Sequence, residues 1–324
     1  MILVTGATGF LGMILARQLA EQNLHFRCIK RATSVIPDEL KPYQHLIEWR
    51  EADILDDNAL EDAFTGITQV YHCAAWVSFK QADKEPMIKT NVAGTANVVN
   101  LCLQYGARLV HVSSIAAIGR GKPDELINEK HHLEETPANN IYSISKLESE
   151  MEVWRGIAEG LDAVIVNPSV IIGASAGVDG SGKIFETVRQ GMNFYTTGTC
   201  GFVDVEDVAR VMIMLMDSDI TAERFIVNAE NWNYKDLITT AANFLNVKAP
   251  TRQAKPWMME IAWRTAATLA GITGKDPAID KIAAQSATET QNYDNSKLKT
   301  AIGFNYKPIW ETVREICIRL NKAS

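Results

Sequence analysis

The first half of the chain alternates short runs of β-branched and other apolar residues with longer segments that carry apolar residues at helical spacing. This alternation is typical of βαβ units, in which helices connect and cover parallel strands. The apolar runs predict strands at Ile2–Thr5, Phe26–Lys30, Ile47–Ala52, Gln69–Cys73, Leu109–Ser113, Ala163–Asn167 and Arg224–Asn228. The helical spacing predicts helices near Leu11–Gln22, Asn58–Phe64, Met87–Tyr105, Tyr142–Gly160 and Ile184–Gly191.

The order of these elements predicts an α/β chain with a Rossmann-type, doubly wound parallel sheet. Residues 1–170 would form this dinucleotide-binding core, and residues 202–230 would return to it. A Gly/Ser-rich loop at Gly173–Gly182 and several later helices predict a smaller, mostly helical substrate-binding lobe of residues 171–201 and 231–324. Because α/β sheets bind ligands at the carboxyl ends of their strands, we expect the lobe to close over that edge.

Charge and cysteine content narrow the class of partner. The 324 residues include 32 Lys and Arg against 39 Asp and Glu, a net charge of -7 that argues against nucleic acid or anionic lipid as partner and favours a small-molecule substrate. The five cysteines are widely spaced with no Cys-x-x-Cys pair, so we predict neither a disulfide framework nor a metal site. Since residues 1–5 already resemble a buried strand with no basic leader, we expect a cytoplasmic protein.

One apolar segment, Trp257–Ile272, raises the question of a membrane. It carries Glu260 and Arg264 and is shorter than the roughly 20 residues that span a bilayer. We interpret it as a packed helix rather than a membrane-surface helix, and we predict no membrane insertion.

A glycine-rich turn follows the first predicted strand, with the sequence Thr5-Gly6-Ala7-Thr8-Gly9-Phe10-Leu11-Gly12. Glycines at a strand-to-helix turn let backbone N–H groups and the helix N-terminus approach a pyrophosphate closely. A plain tight turn would also explain a glycine-rich stretch, but its position between a strand and an amphipathic helix favours dinucleotide binding. The predicted cofactor contacts in this turn are Gly6, Thr8, Gly9, Phe10, Leu11 and Gly12.

The ends of the next strands supply further candidate cofactor contacts. Lys30 and Arg31 stand where NAD-binding chains usually place an acidic residue, and a guanidinium pairs well with a 2′-phosphate. Arg31 therefore predicts NADP(H), with NAD as the alternative if the basic pair is only an exposed loop. Asp53, followed by Ile54, would accept from the adenine amino group or cap the next helix. The small residues Cys73, Ala74 and Ala75 would leave space beside the cofactor.

The most specific pattern is Tyr142-Ser143-Ile144-Ser145-Lys146, because a spacing of four places Tyr142 and Lys146 on one helix face. A nearby ammonium is expected to lower the tyrosine pKa, so that Tyr142 exchanges a proton with a carbonyl or alcohol oxygen. Such a pair alone is often a solvated helix face. Ser114, at the end of the fifth predicted strand, would orient the reacting oxygen toward Tyr142 and strengthens the catalytic interpretation.

Together these residues resemble the extended short-chain dehydrogenase/reductase superfamily, also called the NAD-dependent epimerase/dehydratase family, over essentially the whole chain. The resemblance implies that Ser114, Tyr142 and Lys146 are catalytic, that Lys146 also holds the nicotinamide ribose, and that Asn91 supports the catalytic helix. The segments Asn167-Pro168-Ser169-Val170-Ile171-Ile172-Gly173 and Gly201-Phe202-Val203-Asp204-Val205-Glu206-Asp207-Val208 are similar to the dihydroflavonol-4-reductase-like branch. The resemblance to this family thus implies cofactor contacts at Asn91, Pro168, Ser169 and Val170.

Three functions remain open from the sequence. The leading hypothesis is an NADP(H)-dependent oxidoreductase that interconverts a carbonyl and an alcohol on a small organic substrate. The second is a nucleotide-sugar epimerase or dehydratase with tightly bound NAD, although Thr199-Cys200-Gly201 stands where such enzymes usually carry an Arg-Asp pair. The third is a non-catalytic dinucleotide-sensing protein, which an intact Ser114, Tyr142 and Lys146 argue against.

The remaining expectations concern the substrate and assembly. Four aromatic residues of the predicted lobe hint at an apolar or aromatic substrate unless they belong to the core: Trp257, Trp263, Phe194 and Tyr195. The family resemblance suggests a homodimer formed through the helices at Met87–Tyr105 and Tyr142–Gly160.

Overall fold

The computed structural model describes residues 1–121, 125–133, 140–177, 180–273 and 281–322. The strands in these ranges are β1 (Ile2–Thr5), β2 (Phe26–Lys30), β3 (Ile47–Glu51), β4 (Gln69–His72), β5 (Arg108–Val112), β6 (Leu126–Ile127), β7 (Ala163–Pro168), β8 (Val170–Ile172), β9 (Phe194–Tyr195), β10 (Thr199–Asp204), β11 (Glu223–Val227), β12 (Glu230–Asn233), β13 (Arg252–Gln253) and β14 (Asn292–Tyr293).

The α-helices in the same ranges are α1 (Phe10–Glu21), α2 (Asp57–Phe64), α3 (Lys84–Ile88), α4 (Gly94–Tyr105), α5 (Ile141–Ala158), α6 (Lys183–Gln190), α7 (Val205–Met216), α8 (Tyr234–Leu245), α9 (Pro256–Thr273), α10 (Lys281–Ser286), α11 (Ser296–Ile302) and α12 (Ile309–Lys322). None of these helices combines the length and apolar character that crossing a membrane requires.

A seven-stranded parallel sheet forms the centre of the molecule, in the order β11-β7-β5-β4-β1-β2-β3. Its strands are largely buried, as expected for a sheet covered on both faces. Helices α1 and α7 pack on one face, and α4 and α5 pack on the other. The predicted Rossmann-type α/β fold is confirmed. The strand order reverses between β1 and β4, and such a switch point is where these sheets bind ligands.

The seven strands predicted from sequence differ from the observed core strands by one residue at most at either end. The predicted helix at Met87–Tyr105 is wrong in detail, because it is split into α3, a π-helical turn at Lys89–Ala93, and α4. A side chain at Gly94 would meet Ile54 Cδ1 at 2.4 Å, so the chain packs tightly against its neighbour where α4 begins.

A second, three-stranded sheet has the order β12-β10-β8, with β8 parallel and β12 antiparallel to β10. Neither β8 nor β10 was predicted as a strand. Strand β8 has only three residues, a length at which apolar periodicity carries no signal. Helix α9 forms where a packed helix was expected, but it packs on one side only, since Trp257 is 61% exposed and Ile261 and Leu269 are also exposed.

Candidate functional site

Two adjoining cavities lie at the carboxyl edge of the parallel sheet, with volumes of about 520 and 730 Å³. They share the wall formed by Gly6, Gly9, Cys73, Ala75 and Val77. We call the smaller one the adenosine cavity and the larger one the reaction cavity. The strand-order switch between β1 and β4 passes beneath their common wall, which places the pair where a doubly wound sheet binds ligands.

The glycine turn between β1 and α1 forms the floor of both cavities. Gly6 has a φ of +71°, and a side chain there would meet Ala74 N at 2.6 Å. A side chain at Gly12 would meet Gly6 O at 2.2 Å, so the turn itself requires both glycines. A Cβ at Gly9 would touch only Gly6 O at 3.4 Å. Packing within the protein therefore does not require glycine at position 9, whereas a ligand lying against the turn would.

The adenosine cavity carries a basic side and an acidic side. Lys30 ends β2 and is followed by Arg31 and Ser34, while Asp53 and Ile54 follow β3. Arg31 is exposed, and the Asp53 carboxylate accepts a hydrogen bond from Leu55 N at 2.9 Å through Oδ1. These polar groups at the carboxyl ends of β2 and β3 fit the adenosine end of a dinucleotide.

Ser114, Tyr142 and Lys146 all line the reaction cavity. Helix α5, which carries Tyr142 and Lys146, begins after Asn140, whose side chain accepts from Ser143 N at 2.7 Å. The Ser114 hydroxyl lies close enough to the Tyr142 phenol to favour its ionised form, and the Tyr142 ring packs edge-on against Phe79 with a centroid separation of 5.5 Å. The structure thus brings together the three residues that the sequence proposed as one unit.

The expected lowering of the Tyr142 pKa is not found. Burial raises the pKa of Tyr142, and the hydrogen bond from Ser114 only partly opposes this effect. The Lys146 ammonium donates to Val112 O at 2.8 Å instead of pairing with the phenol. Burial also lowers the pKa of Lys146, which is 3% exposed, to about 8.

A buried carboxylate lies one helical turn beyond Lys146. Glu150 Oε2 accepts from Ser113 Oγ at 2.6 Å and Asn167 Nδ2 at 2.8 Å. Its Oε1 accepts from Arg224 Nη1 at 3.0 Å and Trp154 Nε1 at 3.2 Å. Glu150 therefore ties α5 to β7, to β11 and to the residue that follows β5, directly behind the reaction cavity. The sequence analysis did not find this residue, whose only signal was its position four residues after Lys146.

Asn91 lies at the middle of the π-helical turn and lines neither cavity. Its Oδ1 accepts from Trp76 N at 2.7 Å, and its Nδ2 donates to Trp76 O at 2.9 Å and to Ser145 Oγ at 3.1 Å. The direct cofactor contact of Asn91 that the resemblance implies therefore stays a prediction. The side chain joins the cavity wall at Trp76 to the helix that carries Tyr142.

Two observations indicate that a dinucleotide fits these cavities. The N-terminus of the 12-residue helix α1 meets their common wall next to Gly9, where a pyrophosphate would be stabilised. Ser169, between Pro168 and Val170 in the reaction cavity, is buried, and its hydroxyl has no hydrogen-bond partner among the described residues. A buried hydroxyl without a partner is costly, and a polar ligand group would satisfy it.

The remaining predicted contacts lie on cavity walls. Thr8 and Ala74 line the adenosine cavity, and Phe10, Leu11 and Gly12 line the reaction cavity. The four aromatic residues suggested from the lobe line neither one, and the aromatic wall is built instead by Phe79, Tyr234 and Tyr293. No sequence pattern links these three residues, because they come from separate elements that only the tertiary fold brings together.

Comparison with known proteins agrees with this geometry. Residues 2–228 match the model of the NAD dependent epimerase/dehydratase family. The chain is 29% identical over 320 residues to a Synechocystis sp. protein provisionally named a dihydroflavonol 4-reductase. The alignment covers 96% of this chain and 92% of that protein. It is 30% identical over 264 residues to Sterol demethylase protein B of Methylococcus capsulatus, an alignment that covers 80% of this chain and 78% of that protein. It is 28% identical over 279 residues to anthocyanidin reductase of Arabidopsis thaliana, and that alignment covers 76% of this chain and 80% of the relative.

Solved structures are similar over the whole chain. The crystal structure of gox2253 has a TM-score of 0.85 at 27% identity, with 100% of this chain and 98% of that chain covered. A Thermus thermophilus UDP-glucose 4-epimerase in complex with NAD has a TM-score of 0.76 at 21% identity, with 100% and 99% covered. At that identity, the second similarity concerns the fold alone.

Proposed function

The chain belongs to the NAD-dependent epimerase/dehydratase family and is an NAD(P)-dependent oxidoreductase, and we propose that it is an NADP(H)-dependent reductase that interconverts a carbonyl and an alcohol on a small organic substrate. One observation carries this proposal. Ser114, Tyr142 and Lys146 share a cavity that opens into the one lined by the glycine turn and Arg31. The names of relatives such as anthocyanidin reductase support a net reduction.

The chemistry follows from the protonation states of the buried groups. NADPH, when bound, supplies the hydride to the carbonyl carbon. Because burial raises the pKa of Tyr142, its phenol stays protonated near neutral pH and donates its proton to the carbonyl oxygen. Ser114 holds that oxygen beside the phenol. The positive charge of Lys146, one helical turn further along α5, stabilises the tyrosinate without a direct hydrogen bond until solvent returns the proton. The product is the alcohol, and the reverse sequence oxidises it.

Cofactor binding in this proposal involves both cavities. Gly6, Thr8, Gly9 and the start of α1 hold the pyrophosphate, while Asp53 and Ile54 hold the adenine. Cys73, Ala74 and Ala75 leave room for the cofactor along the common wall, and Pro168, Ser169 and Val170 hold the nicotinamide. Lys146 also holds the nicotinamide ribose, and Arg31 pairs with the 2′-phosphate.

The first test is a fluorescence titration of purified protein with NADPH and NADH. We expect Arg31→Ala to weaken NADPH binding at least about tenfold, the effect of losing a charge-assisted hydrogen bond of about 1.5–3 kcal/mol, and to leave NADH nearly unchanged. Arg314→Ala removes the same charge from an exposed position on α12 and is the matched control. Equal affinity of the wild type for both cofactors would rule out the NADP preference.

The epimerase alternative makes a different prediction. An epimerase keeps its cofactor bound through an internal oxidation and reduction, so NAD would copurify and would not exchange. Steady oxidation of NADPH by the wild type in the presence of a ketone, abolished in Tyr142→Phe, would support net reduction. Copurified NAD that resists exchange would favour the epimerase.

We also propose an arrangement of domains, an assembly and a location. Residues 171–201 and 231–324 supply Thr199, Tyr234 and Tyr293 to the reaction cavity, which supports their role as a substrate-binding lobe.

The exposed Tyr105 on α4 and Met151 on α5 support a homodimer through these helices, testable by light scattering. All five cysteines are free, which supports a cytoplasmic location that cell fractionation would check.

A further inference from the structure

The charged residues of the reaction cavity are few. Among the described residues that line it, only Lys146, Arg120 and Glu289 carry charge. Lys146 is deeply buried beside the proposed reacting atoms, whereas the side chains of Arg120 and Glu289 are 54% and 34% exposed. Arg120 is therefore the one described cation at the outer end of the cavity that could meet an anionic group of a substrate.

Arg120 is not free to do so, because its Nη1 lies 2.7 Å from Glu289 Oε1. Backbone hydrogen bonds fix the strand-like segment that carries Glu289. Thr199 N donates to Glu289 O at 2.9 Å, and Gln291 N donates to Thr199 O at 2.9 Å. The main chain that carries the Glu289 carboxylate is thus held in place at the cavity rim.

The same neighbourhood fixes the position of Arg120. Gly121 N donates to the Gln291 side chain at 3.3 Å, which joins the segment after Arg120 to the segment after Glu289. The ion pair therefore lies on the cavity wall where the chain that follows Ser114 meets the C-terminal part of the protein. The cavity that this pair and Ser114 both line has mainly apolar walls, with Phe79, Tyr234 and Tyr293 among the lining residues.

We propose that the Arg120–Glu289 pair is a specificity determinant that rejects anionic substrates, so that the part of the substrate that enters the reaction cavity is an uncharged aromatic or alicyclic carbonyl compound. This inference rests on the proposed function. A substrate carboxylate would have to displace Glu289 from Arg120 and would then face its negative charge. A nucleoside diphosphate sugar brings two negative charges to a rim whose described cation is already neutralised, so it is rejected more strongly.

The test uses two probes that differ in charge and share a ketone, 4-acetylbenzoate and 4-acetylbenzamide. Their dissociation constants are measured by calorimetry on the protein saturated with NADP⁺. The wild type is expected to bind the amide at least about tenfold more tightly than the carboxylate. Glu289→Gln releases the guanidinium for a charge-assisted hydrogen bond, so the ratio of the two constants should shift about tenfold toward the carboxylate.

Three control variants separate this effect from a general loss of charge. Arg120→Gln and the double variant Arg120→Gln/Glu289→Gln lack the guanidinium and should not gain affinity for the carboxylate. Glu223→Gln breaks an exposed ion pair with Lys297 elsewhere on the surface and should leave the ratio unchanged. Exposed pairs contribute little to stability, so all variants should fold, which circular dichroism would verify.

Several outcomes would overturn the inference. These are a ratio within twofold of wild type in Glu289→Gln, preference of the wild type for the carboxylate, binding of neither probe to any variant, or tight binding of UDP-glucose to the wild type. The proposed reductase is judged separately by NADPH binding and by Tyr142→Phe. A protein that reduces ketones but shows no effect of Glu289→Gln would therefore refute only the specificity proposal.

Discussion

Glu150→Gln should destabilise the folded protein strongly although the substitution preserves shape. Glu150 is 1% exposed, and its two oxygens accept four hydrogen bonds, one of them from the guanidinium of Arg224. Arg224 has a side chain only 9% exposed. The substitution removes the negative charge opposite a buried cation, and it places an amide N–H₂ among donors that include Ser113 and Asn167.

The magnitude follows from the cost of an unpaired buried charge. Breaking a buried ion pair by removing one partner costs about 3–5 kcal/mol, whereas exposed pairs are worth about 0–1 kcal/mol. The matched control is Glu152→Gln on the same helix, which breaks a pair with Arg155 whose side chains are 29% and 36% exposed. We expect a loss of about 3–5 kcal/mol for Glu150→Gln and less than about 1 kcal/mol for Glu152→Gln.

Urea unfolding followed by far-UV circular dichroism at neutral pH measures both values. The double variant Glu150→Met/Arg224→Met removes both charges and should recover part of the loss, because apolar residues often replace a buried ion pair without penalty. If Glu150→Gln cost no more than Glu152→Gln, water would have to reach Arg224, and the description of a closed network behind the reaction cavity would be refuted.

Three further predictions test the site itself. Gly9→Ala should fold, since its Cβ would meet only Gly6 O at 3.4 Å, whereas Gly12→Ala should yield little folded protein. In fluorescence titration, Gly9→Ala should lose NADPH affinity at least about tenfold. Unchanged NADPH affinity in this variant would contradict a pyrophosphate at the turn. Burial lowers the pKa of Lys146 to about 8, so the ammonium is lost as pH rises through that value, and kcat/KM for ketone reduction should fall above about pH 8. Lys146→Arg should keep its charge and abolish this fall at high pH. A wild-type profile that stays flat to about pH 9.5 would refute the role of the ammonium. Asn140→Ala removes the acceptor for Ser143 N and should destabilise the start of α5 by about 1 kcal/mol in thermal unfolding; no measurable shift would mean that water replaces the cap.

The sequence was sufficient to predict the central fold because the information is local. A buried parallel strand is a short apolar run, and the core strands β1 and β2 were predicted with their observed bounds. The glycine turn was equally accessible, since it joins a strand to a helix within a few residues. The spacing of Tyr142 and Lys146 followed from helix geometry, and the carboxyl edge of the sheet brought Ser114 to the same cavity. Their roles in catalysis remain a proposal.

The tertiary structure decided the features that depend on distant segments. The pKa of Tyr142 is raised because the fold buries the phenol, and the Lys146 ammonium donates to Val112 O. Helix spacing reveals neither fact. The aromatic wall of the reaction cavity comes from Phe79, Tyr234 and Tyr293, which lie far apart in the chain. Burial and charge pairing are sums over neighbours that folding brings together from the whole chain. Local patterns therefore determined the scaffold and its candidate groups, while the protonation of those groups and the shape of the substrate space were set by the packing around them.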